Sequence, residues 1–379
     1  VSTTTRIIHI APELPPTVGG VADYTAILSR RLVEVSDGGV EPVLVHAGNQ
    51  EADTIDVSFP MVDLSGQCSA AALADTIERL AGEAEERAVV LLEYSGYGYA
   101  TRGAPLWLAR GMRQVCGCSG VPLITMFHEL YATGPPWTSA FWLSFPQAWI
   151  ARGLARKSQL VLSNRVESAK WLRQSVRSSC PVQVQPTFSN VGEPSTVTDF
   201  EDRESYAVVF GDGAMKSRLY SMLHKFQVYE LRSVGVSRLV EIGPSSSMPD
   251  TIHGLPIERQ GIQPVQAISA TLHEAKGGLL HYPIDYLTKS GIWASYAAHG
   301  TPPLVLSEPK STGEINDGKH YIRFKGNESK SELSLSKLRS VGKRAWEWYR
   351  GNATSVILAN RLKKFLQGHG EYWETGRWK

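Results

Sequence analysis

Short apolar runs alternate with amphipathic stretches along this chain; the alternation stops once near the middle and then starts again. Residues 6–10, 41–46, 61–64, 88–94, 122–127 and 159–163 read as strands of the first half. Apolar residues spaced three and four apart predict helices over 24–35, 70–87, 106–116 and 166–176. Residues 186–205 are rich in Pro, Ser, Thr, Asp and Glu without periodicity and read as an interdomain linker. Strands are then expected at 206–210, 238–242, 277–282 and 303–307, with helices at 216–226, 265–275 and 290–298. Residues 310–318 read as a polar loop, 335–350 and 354–366 as long amphipathic helices, and 368–379 as a tail. Strands that alternate with helices pair in parallel through right-handed crossovers. The expectation is therefore an α/β chain of two such domains, over 1–190 and 206–345, followed by a closing segment, 346–379.

Composition agrees with this and excludes several classes. A chain of 379 residues with 42% apolar residues can fill two cores. A net charge of +2 gives no electrostatic case for nucleic acid. The opening Val1-Ser2-Thr3-Thr4-Thr5 has no signal-peptide pattern, and no run has the length of a spanning helix. Cys68, Cys116, Cys118 and Cys180 are too scattered for a disulfide framework, and Cys116 and Cys118 lack companions for a metal site. A reduced, cytoplasmic protein is expected.

In parallel sheets ligands bind beyond the carboxyl ends of strands. The first such end is followed by Pro15-Pro16-Thr17-Val18-Gly19-Gly20-Val21-Ala22-Asp23-Tyr24. Gly19 and Gly20 stand where a strand hands over to a helix, with free amides and the positive end of the dipole. They suit either a tight turn or a close-approaching phosphate or sugar. The same rule places Glu93, Tyr94, His128, Glu129, Ser163 and Asn164 on this rim. His128, just past a buried strand, is read as a ligand contact ahead of Glu129. The run from Trp137 to Lys157 carries Phe141, Trp142, Phe145 and Trp149 and ends in Arg152, Arg156 and Lys157. Core packing is the favoured reading of these aromatics; a membrane or acceptor surface is the other.

In the second half Lys216 and Arg218 lie early in a helix, where cations oppose the dipole and suit a bound anion. Gly243, after the next strand, opens a loop that includes Pro244 and Ser245. The run Thr288-Lys289-Ser290-Gly291 combines a cap, a cation and the free amides of a helix start, which together make a phosphate site.

Two alternating halves, Ile8-His9-Ile10-Ala11-Pro12-Glu13 before Gly19-Gly20-Val21-Ala22-Asp23-Tyr24, Leu162-Ser163-Asn164, and Ala297-Ala298-His299-Gly300-Thr301-Pro302 resemble glycosyltransferase family 4 of the GT-B fold. That resemblance implies two facing Rossmann-like domains with a cleft between them and a C-terminal helix crossing back. It implies transfer of a hexose, with glucose the expected sugar, from a UDP-sugar to a hydroxyl of a saccharide or lipid-linked saccharide. Retention of configuration and a role in exopolysaccharide biosynthesis, at the inner face of the membrane, are further implications. No cofactor or metal is expected, because no D-x-D motif occurs. His128, Lys216 and Lys289 would serve the reaction. Gly19, Gly20, Lys216, Arg218, Gly243, Gln260, Gly261, Ile262, Lys289, Ser290 and Gly291 would hold the donor. Asp23, Tyr24 and Glu129 would meet the acceptor or sugar. The family's E-x7-E pattern is absent: its positions fall on Leu287 and Ser295. A sugar-nucleotide epimerase of the same fold and a non-catalytic binding relative are the alternatives.

Overall fold

The computed structural model describes residues 4–17, 19–48, 57–116, 120–244, 250–308, 314–324 and 333–368. Val18, Cys118, Ser245, part of the 310–318 loop and the tail beyond Gly368 lie outside the described residues. The chain divides into two compact units, residues 1–186 with 355–379, and residues 187–354.

In the first unit the elements run β1 (Thr5–Ala11), α1 (Gly20–Ser36), β2 (Val40–His46), β3 (Met61–Asp63), α2 (Ala70–Gly82), β4 (Arg87–Tyr94), α3 (Gly96–Tyr99), α4 (Leu106–Gln114), β5 (Leu123–Phe127), α5 (Ser139–Lys157), β6 (Leu160–Ser163), α6 (Val166–Arg173) and β7 (Val182–Val184). The strands form one parallel sheet in the order β3-β2-β1-β4-β5-β6-β7. Strands covered on both faces read as continuous apolar runs, and β1, β4 and β5 are buried almost throughout.

The second unit contains β8 (Glu204–Phe210), α7 (Gly213–Met222), α8 (Lys225–Ser233), β9 (Arg238–Ile242), β10 (Thr251–Ile252), β11 (Leu255–Gly261), α9 (Val265–Glu274), β12 (Ala275–His281), α10 (Gly291–Ala298), β13 (Pro303–Leu306), β14 (Ile322–Phe324) and α11 (Leu335–Asn352). Its sheet runs β10-β11-β9-β8-β12-β13-β14, parallel except for the β10–β11 pair. Both sheets are doubly wound. In each, the chain first builds outward on one side of the first strand and then crosses to build on the other.

Three sequence expectations are corrected here. The stretch 186–205 is not a solvated linker: Phe188 and Val191 are buried, the Ser189 amide donates to the Tyr349 hydroxyl at 2.8 Å, and that hydroxyl donates to Glu193. Two apolar anchors in a polar segment were enough to fold it onto the second unit. The aromatics of α5 are not mainly core, because its inward face is Gln147, Ile150, Ala151, Leu154 and Ala155. The division expected at 346 falls later. Helix α11 belongs wholly to the second unit, and α12 (Ser355–Gly368) belongs to the first. There α12 packs on α1, with Arg31 donating to Ser355 and Lys363 to the Val35 carbonyl.

Candidate functional site

Doubly wound sheets bind ligands at the switch point, where the strand order reverses. In the first unit this is the β1/β4 boundary. Register brings three polar side chains to one face there. His9 lies opposite Leu91, so Glu93, two residues on, shares its face; Glu93 lies opposite Met126, so His128 falls on that face too. The outcome is a continuous chain. Glu93 Oε1 accepts from His9 Nε2 at 2.8 Å, and its Oε2 accepts from His128 Nε2 at 2.7 Å. With its proton on Nε2, His9 can accept at Nδ1 from the Ser29 hydroxyl of α1, 2.8 Å away. His9 and Glu93 are fully buried, while His128 retains a little exposure. Burial pushes the Glu93 carboxyl upward; the hydrogen bonds and charges of His128 and His9 more than reverse this and hold it below the ordinary glutamate range.

Helix α1 covers this chain. Tyr24 meets His128 edge-on at 4.9 Å between ring centres. Its phenol is pushed well up, first by burial and then by the Glu93 charge, so it stays a neutral group. Gly19 caps α1 in extended backbone with no side-chain cap, leaving first-turn amides at the rim. A Cβ on Gly19 would come within 2.4 Å of a Glu13 carboxylate oxygen, whereas one on Gly20 would meet nothing within 4 Å. A side chain at 19 would have to displace the flexible end of Glu13, whereas one at 20 would meet open space. Asp23 is partly buried, and Glu129 is exposed beside the Ser95 hydroxyl, which donates to it at 3.4 Å. Ser163 and Asn164, expected on the rim, are buried.

The switch point of the second unit lies between β8 and β12. The loop after β8 is Gly211-Asp212-Gly213, and Asp212 caps α7 by accepting from the Met215 amide at 2.8 Å. Gly211 lies against α10, where a Cβ would stand 2.9 Å from Ile292. Gly243, at φ +98°, donates its amide to the Gly261 carbonyl at 2.8 Å, and a Cβ there would fall 2.5 Å from the Gly211 carbonyl oxygen. Three strand-end loops thus converge through glycine backbone. Lys216 lies beneath them, fully buried, donating to the Ile242 carbonyl at 3.1 Å with Glu241 Oε1 at 3.6 Å. Burial pushes its ammonium down, against the pull of Glu241.

The structure thus groups Lys216, Gly243 and Gly261. Arg218 does not join them: two residues along α7 it points away from Lys216 and is exposed. Gln260 turns its side chain to Glu258, and Ile262 is 72% exposed. Ser290 is buried and caps α10 by accepting from the Trp293 amide at 3.2 Å, with Gly291 opening the helix and Lys289 partly buried just before it. The missing glutamates are explained locally. Leu287 is core, and Ser295 is buried, donating to the Gly291 carbonyl at 2.7 Å.

Sequence reasoning passed over His9 and Glu241 as partners. Each is a polar residue inside an apolar strand, an arrangement that burial makes costly unless it is paired. That cost is the signal that would have singled them out.

No protein-family model and no curated protein sequence matches this chain. Solved structures do. The Anabaena protein HepE in complex with UDP-glucose is 11% identical, with 96% of this chain and 99% of that one covered and a TM-score of 0.58. A glycosyltransferase from Rickettsia africae is 12% identical over 99% and 100%, with a TM-score of 0.58. A putative UDP-N-acetylglucosamine 2-epimerase from Listeria monocytogenes is 13% identical over 97% of each chain, with a TM-score of 0.59. These likenesses, with the two doubly wound parallel sheets, make this the GT-B fold.

Proposed function

We propose that this protein is a glycosyltransferase of the family-4 kind. In this reading it moves a hexose, with glucose the first candidate, from a UDP-sugar to a hydroxyl of a saccharide or lipid-linked saccharide. The reaction retains configuration and uses no metal, and its place is exopolysaccharide assembly. What supports the reading is a fold shared over its whole length with proteins solved with UDP and UDP-glucose. The observation that carries it is His128, set at the first unit's switch point on a fully buried carboxylate.

In this role Glu93 fixes the Nε2–H of His128, which leaves Nδ1 to meet a sugar hydroxyl. Cleavage of the donor's glycosidic bond places charge on the leaving diphosphate, and preorganised donors stabilise that charge best. The α10 N-terminus, with Gly291 amides and Lys289, supplies them, and Lys216 adds positive potential beneath the Gly243 loop. Asp23, Tyr24 and Glu129 line the acceptor or sugar side. Gly261 and Gln260 border the nucleotide through backbone.

UDP release from UDP-glucose, with and without added saccharide, tests the reading. Release that rises with acceptor, and a His128→Ala variant that loses turnover while keeping UDP affinity and melting temperature, is the expected result. Equal turnover in the variant, or no UDP release with any UDP-hexose, would reject it. The likeness to a putative epimerase favours a second reading, inversion at a sugar carbon. Proton NMR of the sugar product separates the two: a new glycosidic bond against a free or nucleotide-bound epimer.

A further inference from the structure

Helix α5 carries an apolar face that none of the described residues covers. Trp142 is 66% exposed, Phe145 59% and Trp149 64%, and Trp137 just ahead of the helix is 84% exposed. Spacings of three and four place Trp142, Phe145, Trp149, Arg152 and Arg156 on one stripe, aromatic at its start and cationic at its end. The stripe is held rigidly. On the opposite face Gln147 donates to the Arg102 carbonyl at 2.9 Å and accepts from the Ala132 amide at 2.6 Å, while Ile150 and Leu154 enter the core. The outer rings brace one another. Phe141 meets Trp142 and Phe145 edge-on, each at 5.4 Å between centres. Four large aromatics exposed together, on a protein that buries so many others, mark a surface meant for contact.

The surrounding charge identifies what it contacts. Residues 137–178 contain seven Lys or Arg residues and one acid, Glu167. Arg152, Arg156, Lys170 and Arg173 are all exposed, and Arg152 stacks over Trp171 at 4.9 Å. A second copy of the chain meeting this face with its own would bring like charges together, so self-pairing is disfavoured. Aromatic rings beside a cluster of cations suit the boundary of a bilayer with anionic headgroups, where rings sit at headgroup depth and cations neutralise phosphate. We propose that this face of α5 docks the protein on an anionic membrane surface, with Trp142, Phe145 and Trp149 inserted and the Arg152–Arg156 end lying on the headgroups. The docking is independent of the transfer reading, although a lipid-linked acceptor would be met on the same surface.

Flotation of the full chain with vesicles tests it. Vesicles of phosphatidylcholine with phosphatidylglycerol should carry the protein, salt should release it, and vesicles of phosphatidylcholine alone should bind it far less. Trp142→Ala, Phe145→Ala and Trp149→Ala combined should weaken binding by about tenfold or more with the melting temperature unchanged. Quenching of tryptophan emission by lipids brominated on their chains should disappear in that variant. Should the triple variant fold poorly, Arg152→Gln with Arg156→Gln decides instead: weaker binding to anionic vesicles supports docking, and unchanged binding overturns it. Absence of binding at low salt overturns the proposal, as does binding that survives the triple substitution. So does a dimer that the triple substitution dissociates in a protein that ignores vesicles.

Discussion

At the scale of single residues, Glu93 is the side chain on which the first unit's site turns. It accepts from two imidazoles, one at each carboxylate oxygen, whereas a glutamine would keep one acceptor oxygen and put a donor in place of the other. In Glu93→Gln the amide NH2 faces one imidazole Nε2, so that bond survives only if the ring moves its proton to Nδ1, and the carboxylate's charge assistance is lost either way. Losing a charge-assisted bond costs about 1.5–3 kcal/mol, or about 10- to 150-fold. Turnover with UDP-glucose should fall by that order while UDP affinity, measured by calorimetry, stays within about twofold. Equal losses in both would make the chain His9–Glu93–His128 purely structural. Lys216 and Lys289 should separate in the same way. Lys216 is fully buried against Glu241 and the Ile242 carbonyl, so Lys216→Ala should lower unfolding free energy by about 1–3 kcal/mol as well as weaken UDP binding. Lys289 is only partly buried, and Lys289→Ala should weaken UDP binding at nearly unchanged stability. Denaturant titration alongside UDP calorimetry on both variants checks the pair.

At the scale of elements, the start of α1 tells a turn apart from a ligand site. A Cβ at Gly19 would press on the flexible end of the Glu13 side chain, and Gly20 has open space around its Cβ direction. Alanine is the better helix former by about 0.5–1 kcal/mol, so Gly20→Ala should melt at or above the parent temperature. If donor or acceptor approaches the first-turn amides, the added methyl should nevertheless lower turnover several-fold. Full activity in a Gly20→Ala protein of raised melting temperature would leave the α1 start a turn and nothing more. The boundaries of α1 and α7 carry a related lesson. Both helices begin earlier than periodicity placed them, at Gly20 and Gly213, because a first turn exposes its side chains and shows no apolar pattern. Strand β14, three residues long, and helix α8, nine, escaped notice because so few residues repeat a pattern too seldom for it to stand out.

At the scale of the whole molecule, pH should act on the two units through different groups. In the second unit His299 and His320 are pushed down to about 4. Burial is the main cause for His299, with His273 and Arg203 adding to it, and burial again for His320, with Lys319 and Arg344. The bonds agree: His320 Nδ1 accepts the Asn316 amide at 3.0 Å, which only an unprotonated nitrogen can do. The unfolded chain takes up these protons near pH 6.5 and the folded one near 4. Their stabilising effect is complete above about pH 6.5 and is lost as pH falls toward about 4, with His299 alone contributing at most about 3 kcal/mol. In the first unit Glu93 is held below the ordinary glutamate range, so its contribution survives to lower pH and disappears only as pH falls through its folded value. Urea unfolding followed over this range should show stability declining from about pH 6.5 downward. The decline should be smaller in His299→Gln, and a flat profile would count against both buried histidines.

Much of this was legible in the chain alone. Apolar runs set by burial on both faces, and amphipathic stretches between them, determined a doubly wound α/β fold in two halves, because periodicity follows directly from which side of an element faces a core. Backbone-based features were legible as well: the glycine junction at Gly19-Gly20, the Ser290 cap, and His128 just past a buried strand all follow from local geometry. Side-chain partnership did not. His9, Glu93 and His128 meet because β1, β4 and β5 lie side by side in register, and Lys216 meets Glu241 because β9 pairs with β8, the strand that leads into α7; strand adjacency is fixed by the sheet and not by neighbours in sequence. The same holds for exposure. Composition made Trp142, Phe145 and Trp149 look like core, and only the packing of Gln147, Ile150 and Leu154 on the other side of α5 turned them outward. A helix buries one face, and which face it buries is decided by the partner it packs against.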